Sequence, residues 1–374
     1  MQDGEPGSAE PGSREPGSAA SRSPGTRVVH AGLASAEAGT PLLAGPVFAA
    51  PYHLPGDPNQ TPYGYGRYAN PTWTAYENAL ASLEDARHAV VFSSGMAACA
   101  AVMLSTLRPG DVFVAPSDGY PMLRTIAHGH LAERGVETRL VPTAADWTCA
   151  IDGARLVWME TPSNPSLDTC DVASIATAAH AAGALVALDN TLATPLGQRP
   201  LDLGCDLAIY ADTKAMTGHA DLLMGHVTTR DDALAKQIRD WRSQTGSVPG
   251  PFETWLAHRS LATLDVRLER QCANAQALAG ALRARDDVTD VRHPGIGMIV
   301  SFTLESAERA QRFIGACELV IDATSFGGLH STAERRARWG HGDDVAEGFI
   351  RFSAGIEARD DLLRDVQAAL DQTA

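Results

Sequence analysis

The sequence contains no Cys-x-x-Cys pair. Its six cysteines, Cys99, Cys149, Cys170, Cys205, Cys272 and Cys317, are scattered along 374 residues. Scattered thiols build neither a structural metal site nor a disulfide framework, so no metal is expected and reduced thiols in a cytoplasmic setting fit best. No apolar run reaches the length that crosses a bilayer, and the N-terminus does not read as a signal peptide. No membrane association is therefore expected. Positive charge is scarce as well. Lys and Arg number 30 against 45 Asp and Glu, giving a net charge of −15. With no basic cluster, the chain lacks the surface that nucleic acid would require, and a small-molecule role is favoured.

What is present is enough apolar material, 44% of the residues, for a large core and more than one domain. Residues 1–25 stand apart: Glu5-Pro6-Gly7-Ser8 recurs as Glu10-Pro11-Gly12-Ser13 and Glu15-Pro16-Gly17-Ser18. A Pro/Gly/Ser repeat with few apolar groups cannot offset the entropy of ordering, so this stretch reads as a disordered tail. The expected organisation is that tail, an N-terminal arm over 26–75, a large domain over 76–250, and a linking helix with a C-terminal domain over 251–374.

From about residue 75, helical and strand patterns alternate. Ala89-Val90-Val91-Phe92, Val112-Phe113-Val114-Ala115, Arg155 to Met159, Ala184 to Leu188 and Leu207 to Tyr210 are short apolar runs, most of them typical of buried parallel strands. Helical stretches such as Val172 to Ala182 separate several of them, which predicts an α/β fold with a mostly parallel sheet. A long helix is expected from Pro251 to about Arg285. Strands are expected at Met298 to Phe302, Leu319 to Asp322 and Phe349 to Phe352, and a terminal helix at Leu362 to Leu370.

Ligands on such sheets sit beyond the carboxyl ends of the strands. Ser94, Glu160, Asp189 and Lys214 all fall at or just past such ends, which places them at one site. A lysine and an aspartate so placed are what pyridoxal phosphate (PLP) requires. The lysine forms a Schiff base with its aldehyde, and the aspartate keeps the pyridine nitrogen protonated so that the ring can act as an electron sink. Taken alone, Lys214 is equally readable as a surface lysine after a strand. Ser94-Gly95-Met96 opens a helix whose N-terminus suits a phosphate.

Thr26 to Gly32, Tyr65-Gly66-Arg67-Tyr68-Ala69-Asn70-Pro71-Thr72, Ser93 to Ala98, Glu160-Thr161-Pro162-Ser163-Asn164-Pro165, Asp189-Asn190-Thr191, Tyr210 to Asp221, and Ser325-Phe326-Gly327-Gly328 with Ile350 to Glu357 follow one another in order. This series resembles the Cys/Met-metabolism PLP-dependent enzymes, the family of cystathionine γ-lyase, cystathionine γ-synthase and methionine γ-lyase. The resemblance implies the fold-type I PLP-dependent transferase-like architecture, with a mostly parallel sheet in a large domain plus a smaller α+β C-terminal domain. It implies pyridoxal 5'-phosphate on Lys214, with Asp189, Gly95, Met96, Thr213, Asn164 and a ring-stacking Tyr120 holding the cofactor. It implies that Tyr65 and Arg67 reach the phosphate of a neighbouring subunit, in a homotetramer built as a dimer of dimers with shared sites. Arg351, Ser325 and Asn164 are implied at the amino-acid substrate. A planar guanidinium such as Arg351 grips a carboxylate with two hydrogen bonds, though an arginine inside an apolar strand is also readable as half of a buried salt bridge.

The chain departs from the family pattern at three places. Ala211 stands where a phosphate-binding serine is usual, Pro121-Met122-Leu123 follow the stacking tyrosine, and Thr324 replaces a glutamate before Ser325. The leading expectation is a PLP-dependent carbon–sulfur lyase, cystathionine γ-lyase-like, that eliminates a thiol from cystathionine or a homocysteine-like amino acid, with Lys214, Tyr120 and Tyr65 as catalytic residues. A γ-substituting transferase, a methionine γ-lyase and a regulatory PLP-binding protein are the alternatives.

Overall fold

The computed structural model describes residues 22–33, 38–339 and 343–374. Most of the repeat tail therefore lies outside the described residues. The expected boundary at residue 25 falls inside a short helix, Pro24–His30, where Pro24 supplies the fixed φ favoured in a first turn.

Seven strands form the large sheet: β1 (His88–Phe92), β2 (Val112–Pro116), β3 (Glu137–Val141), β4 (Leu156–Glu160), β5 (Leu185–Asp189), β6 (Leu207–Tyr210) and β7 (Gly225–Thr229). Their order is β1-β7-β6-β5-β4-β2-β3, and only β7 runs against its neighbours. The mostly parallel expectation holds. β4 shows why its sequence is apolar throughout. Leu156 and Trp158 pack on one face with the helices Gly95–Thr106 and Asp232–Thr245, while Val157 and Met159 pack on the other with the helix Val172–Ala181. A strand covered on both faces has no solvent side to mark with polar residues.

A smaller sheet, β8 (Thr289–Arg292), β9 (Ile299–Thr303), β10 (Ile321–Asp322), β11 (Thr332–Arg335) and β12 (Phe349–Ser353), has the order β10-β11-β12-β9-β8. Its core, with Val300, Phe302, Ile350 and Phe352, packs on the helices Leu264–Arg283, Ala307–Ala316 and Arg359–Gln372. The single helix expected from Pro251 is two helices, Pro251–Leu261 and Leu264–Arg283, because the chain turns at Ala262 and Thr263. The strand expected over Leu319 to Asp322 shortens to Ile321–Asp322.

The arm before the large domain is held by Asn70-Pro71-Thr72. Asn70 caps the helix Pro71–Glu84, accepting from the Thr72 amide, and Pro71 occupies its first turn. Asn70 Nδ2 donates to the Val47 carbonyl and the Val47 amide donates to Thr72 Oγ1, each at 2.9 Å. This motif is a clamp on the arm, and it stands apart from the cavity described next.

Candidate active site

A cavity of about 240 Å³ opens past the carboxyl ends of the parallel strands, bounded on its other side by Thr324, Ser325, Phe326, Arg336 and Arg351 of the C-terminal part. Of the expected site residues it brings together Lys214, Asp189, Gly95, Met96, Tyr120, Asn164, Thr213, Ser325 and Arg351.

Strand β1 delivers the chain to Ser94, whose Oγ caps the next helix by accepting from the Ala97 amide at 3.1 Å. The earlier amides of that helix have no intrahelical acceptor, and Gly95 and Met96 line the cavity. Position 95 requires glycine, since a Cβ there would stand 2.5 Å from the Ala211 Cβ. Thr213 Oγ1 donates to the Met224 carbonyl at 3.2 Å and accepts from its amide at 3.0 Å. Its hydroxyl is thus already engaged by the loop.

Strand β5 ends at Asp189, whose Oδ1 accepts from the Thr191 amide at 3.0 Å. Burial raises its carboxyl above the usual range, against the pull of Thr191 and Lys214. Such a carboxylate suits a cationic ring nitrogen. Lys214 follows β6 in a turn, and its Nζ donates to Ser325 Oγ at 2.8 Å and lies 5.0 Å from the Phe326 ring centre. Burial first, then the Arg351 charge, lowers the amine to about 8, so a neutral, nucleophilic fraction exists near neutral pH. Ser325 itself adopts φ 76°, a left-handed conformation rare for serine.

Glu160 closes β4 and fixes two loops. Its Oε2 accepts from the Tyr120 amide at 2.7 Å and its Oε1 from the Asn164 amide at 3.0 Å. The neighbouring Gly119 permits this approach, because a Cβ there would stand 2.7 Å from Glu160 Oε2. Burial first, then the Cys99 thiol, raises the Tyr120 phenol, so it remains a proton donor at neutral pH.

Arg351 is 4% exposed. Its Nη1 donates to Asn164 Oδ1 at 2.7 Å and its Nη2 to the Ser325 carbonyl at 3.0 Å. Its Nη2 also pairs with Glu334, which lies directly opposite it in the β11–β12 register. Arg351 is therefore both a cavity residue and half of a buried salt bridge. Burial lowers it to about 10, and it stays cationic at neutral pH.

Tyr65 and Arg67 do not line this cavity. They lie on the arm, where Arg67 Nη1 donates to the Ser243 carbonyl at 2.5 Å and its guanidinium sits 4.6 Å from the Tyr68 ring centre. The sequence reading missed Glu334 and Arg336 altogether, and gave Glu160 no role beyond its place at a strand end.

The sequence matches the Cys/Met metabolism PLP-dependent enzyme family over residues 25–371. The chain belongs to that family. A Streptomyces coelicolor protein, named provisionally as a cystathionine gamma-lyase, is 52% identical over 93% of this chain and 94% of its own length. The cystathionine gamma-synthase/O-acetylhomoserine (thiol)-lyase of Bacillus subtilis is 33% identical over 89% of this chain and 92% of its own length. The structure of CalE6 from Micromonospora echinospora superposes with a TM-score of 0.86 at 37% identity, covering 92% of this chain and 98% of that one. CalE6 carries both the methionine gamma lyase and the cystathionine gamma lyase name.

The residues present fit the cofactor of this Cys/Met-metabolism enzyme. A helix N-terminus with Gly95 and Met96 at the wall suits the phosphate, the carboxylate of Asp189 suits the pyridine nitrogen, and Lys214 has a depressed amine facing the same space. One donor is missing from that end, because Ala211 has no hydroxyl.

Proposed function

We propose that the protein eliminates a thiol from the side chain of a sulfur amino acid at the Lys214 cavity, acting on cystathionine or a homocysteine-like substrate. The observation that carries this reading is the convergence of a depressed lysine amine, a raised aspartate and a buried arginine on one cavity. The names of the family relatives support it.

Bound there, pyridoxal phosphate supplies an electron sink beside the substrate Cα. Ser94, Gly95 and Met96 would hold its phosphate, joined by Thr213 if its hydroxyl turns away from the Met224 carbonyl; Asp189 would pair with its ring nitrogen, Asn164 would bond its ring oxygen, and Tyr120 would stack on its face. Arg351 grips the substrate carboxylate with its planar fork and so fixes the Cα–H bond. Lys214 Nζ takes the Cα proton, and Ser325 Oγ, 2.8 Å away, holds the amine in place between steps. Tyr120, or a Tyr65 reaching in from another subunit, protonates the departing sulfur. The same residues serve γ-substitution when a thiol enters in place of the leaving group, which the B. subtilis relative's name motivates.

Cystathionine, homocysteine, methionine and O-acylated homoserine, given separately to the purified protein with product identification, test the reading. Lys214→Ala is expected to lose retained cofactor absorbance and nearly all turnover. Near-normal turnover in that variant overturns it.

The working unit is proposed to be at least a dimer, and a tetramer of paired dimers, in the cytoplasm. The arm supports this. Phe48 is 72% and Tyr65 45% exposed, while Tyr65 and Arg67 sit away from their own cavity. Mixing Arg67→Ala with Lys214→Ala subunits is expected to restore activity by forming one intact site per hybrid dimer. Verified hybrids with no recovered activity contradict the shared site.

A further inference from the structure

The cavity contains a second guanidinium that none of the roles above uses. Arg336 follows β11, lines the cavity wall and is 8% exposed. Its Nη1 donates to Glu334 Oε1 at 2.7 Å and its Nε to Asp343 Oδ2 at 2.8 Å, while its Nη2 lies 2.5 Å from the same Asp343 oxygen. A guanidinium carries five N–H groups, so these partners take three of them. The two carboxylates hold the side chain in one orientation, which is what a recognition group needs.

The glutamate nearby is not available to a substrate ammonium. Glu334 receives Arg351, Arg336, the Trp339 indole at 3.1 Å and the Thr324 hydroxyl at 3.4 Å. The wall beside Thr324 thus offers cationic N–H groups. Phe326, Leu223, Met96 and Cys99 supply apolar surface to the same cavity. The Arg336 charge is felt across the site, since it helps to lower both Lys214 and Arg351.

We propose that Arg336 is a second anion subsite that takes a carboxylate borne on the substrate's γ-substituent, while Arg351 takes the α-carboxylate. The substrate class is then amino acids whose thioether arm ends in an acid. Methionine and homocysteine, which have no second carboxylate, forgo the contact. This inference rests on the proposed lyase reading and narrows it.

The test compares S-(2-carboxyethyl)-L-homocysteine with its amide, S-(2-carbamoylethyl)-L-homocysteine, two thioethers of matched shape that differ in charge. The holoenzyme is expected to favour the acid at least ten-fold in kcat/KM, the equivalent of about 1.4 kcal/mol. Arg336→Gln is expected to bring the ratio near one, and Arg336→Lys to keep part of it. A ratio near one in the unaltered enzyme overturns the proposal. So does an Arg336→Gln variant that loses activity equally on both compounds, which would place Arg336 at the α-carboxylate or in the scaffold. If neither compound is turned over, the lyase reading fails, and calorimetric binding of the same pair to the holoenzyme decides the subsite by the same ratio.

Discussion

Glu160 and Glu334 are both buried at the cavity: Glu160 lines it from the large sheet, and Glu334 pairs with the lining residues Arg351 and Arg336 from the small one. Glu160 accepts neutral backbone amides from Tyr120 and Asn164, and its register neighbour is another carboxylate, Asp189. Burial, then Asp189, pushes its carboxyl well above the usual range. Burial alone would push Glu334 up as well, but the guanidiniums of Arg351 and Arg336 outweigh it and hold it below the usual range. The cofactor half of the cavity is thus organised by backbone groups at strand ends, and the substrate half by ion pairs between side chains. The first half tolerates neutralisation of its glutamate, whereas the second depends on the charge.

Glu334→Gln should break that comparison most forcefully. It leaves two buried guanidiniums short of a counter-ion, and removing one partner of a buried ion network costs about 3–5 kcal/mol. Chemical denaturation of the variant against the unaltered protein measures this, and a loss below about 1 kcal/mol would mean that the network carries little energy. Arg351→Lys comes next. Lysine keeps the charge and loses the fork, so kcat/KM for every amino-acid substrate should fall by the equivalent of about 1.5–3 kcal/mol, the scale of a hydrogen bond to a charged group. Cofactor content should change little. An unchanged KM moves carboxylate recognition to another residue.

The two halves also differed in how far the sequence disclosed them. Ser94, Asp189 and Lys214 each follow an apolar run within a few residues, so strand ends and chemistry could be read together. Glu334 could not be found that way. Thr332–Arg335 is mostly polar and carries no apolar run, and its glutamate gains meaning only from lying opposite Arg351 across the β11–β12 register. Arg336 is anchored by Asp343, seven residues on, through a contact no local pattern signals. Two strands of the large sheet escaped notice for related reasons. β3 is an edge strand whose Glu137, Thr138 and Arg139 look solvated, and β7 is fully buried yet holds Gly225, His226, Thr228 and Thr229. His226 is accommodated because its Nδ1 meets the buried Asp212 at 2.6 Å.

Glu160→Gln should have the smallest effect and the most diagnostic pH dependence. An amide oxygen can still accept one of the two N–H groups, so the loss is about 1 kcal/mol, one neutral hydrogen bond. The sign with pH follows from proton counting. The unfolded glutamate titrates near 4.5 and the folded one higher, so above pH 4.5 the unfolded chain binds fewer protons and the native protein loses stability as pH rises. Glutamine removes that decline, and the gap between Glu160→Gln and the unaltered protein should therefore narrow from pH 4.5 toward neutrality. Glu334 has the opposite sign. Its folded carboxyl lies below 4.5, so its contribution is present above that pH and is lost as pH falls through the folded value. The Glu334→Gln gap should be widest at neutral pH and shrink only in acid. Urea denaturation of both variants at pH 4, 5.5 and 7 measures the two slopes. Parallel slopes would mean that the two glutamates share one ionisation state, and the division between a backbone-organised half and a charge-organised half would have to be given up.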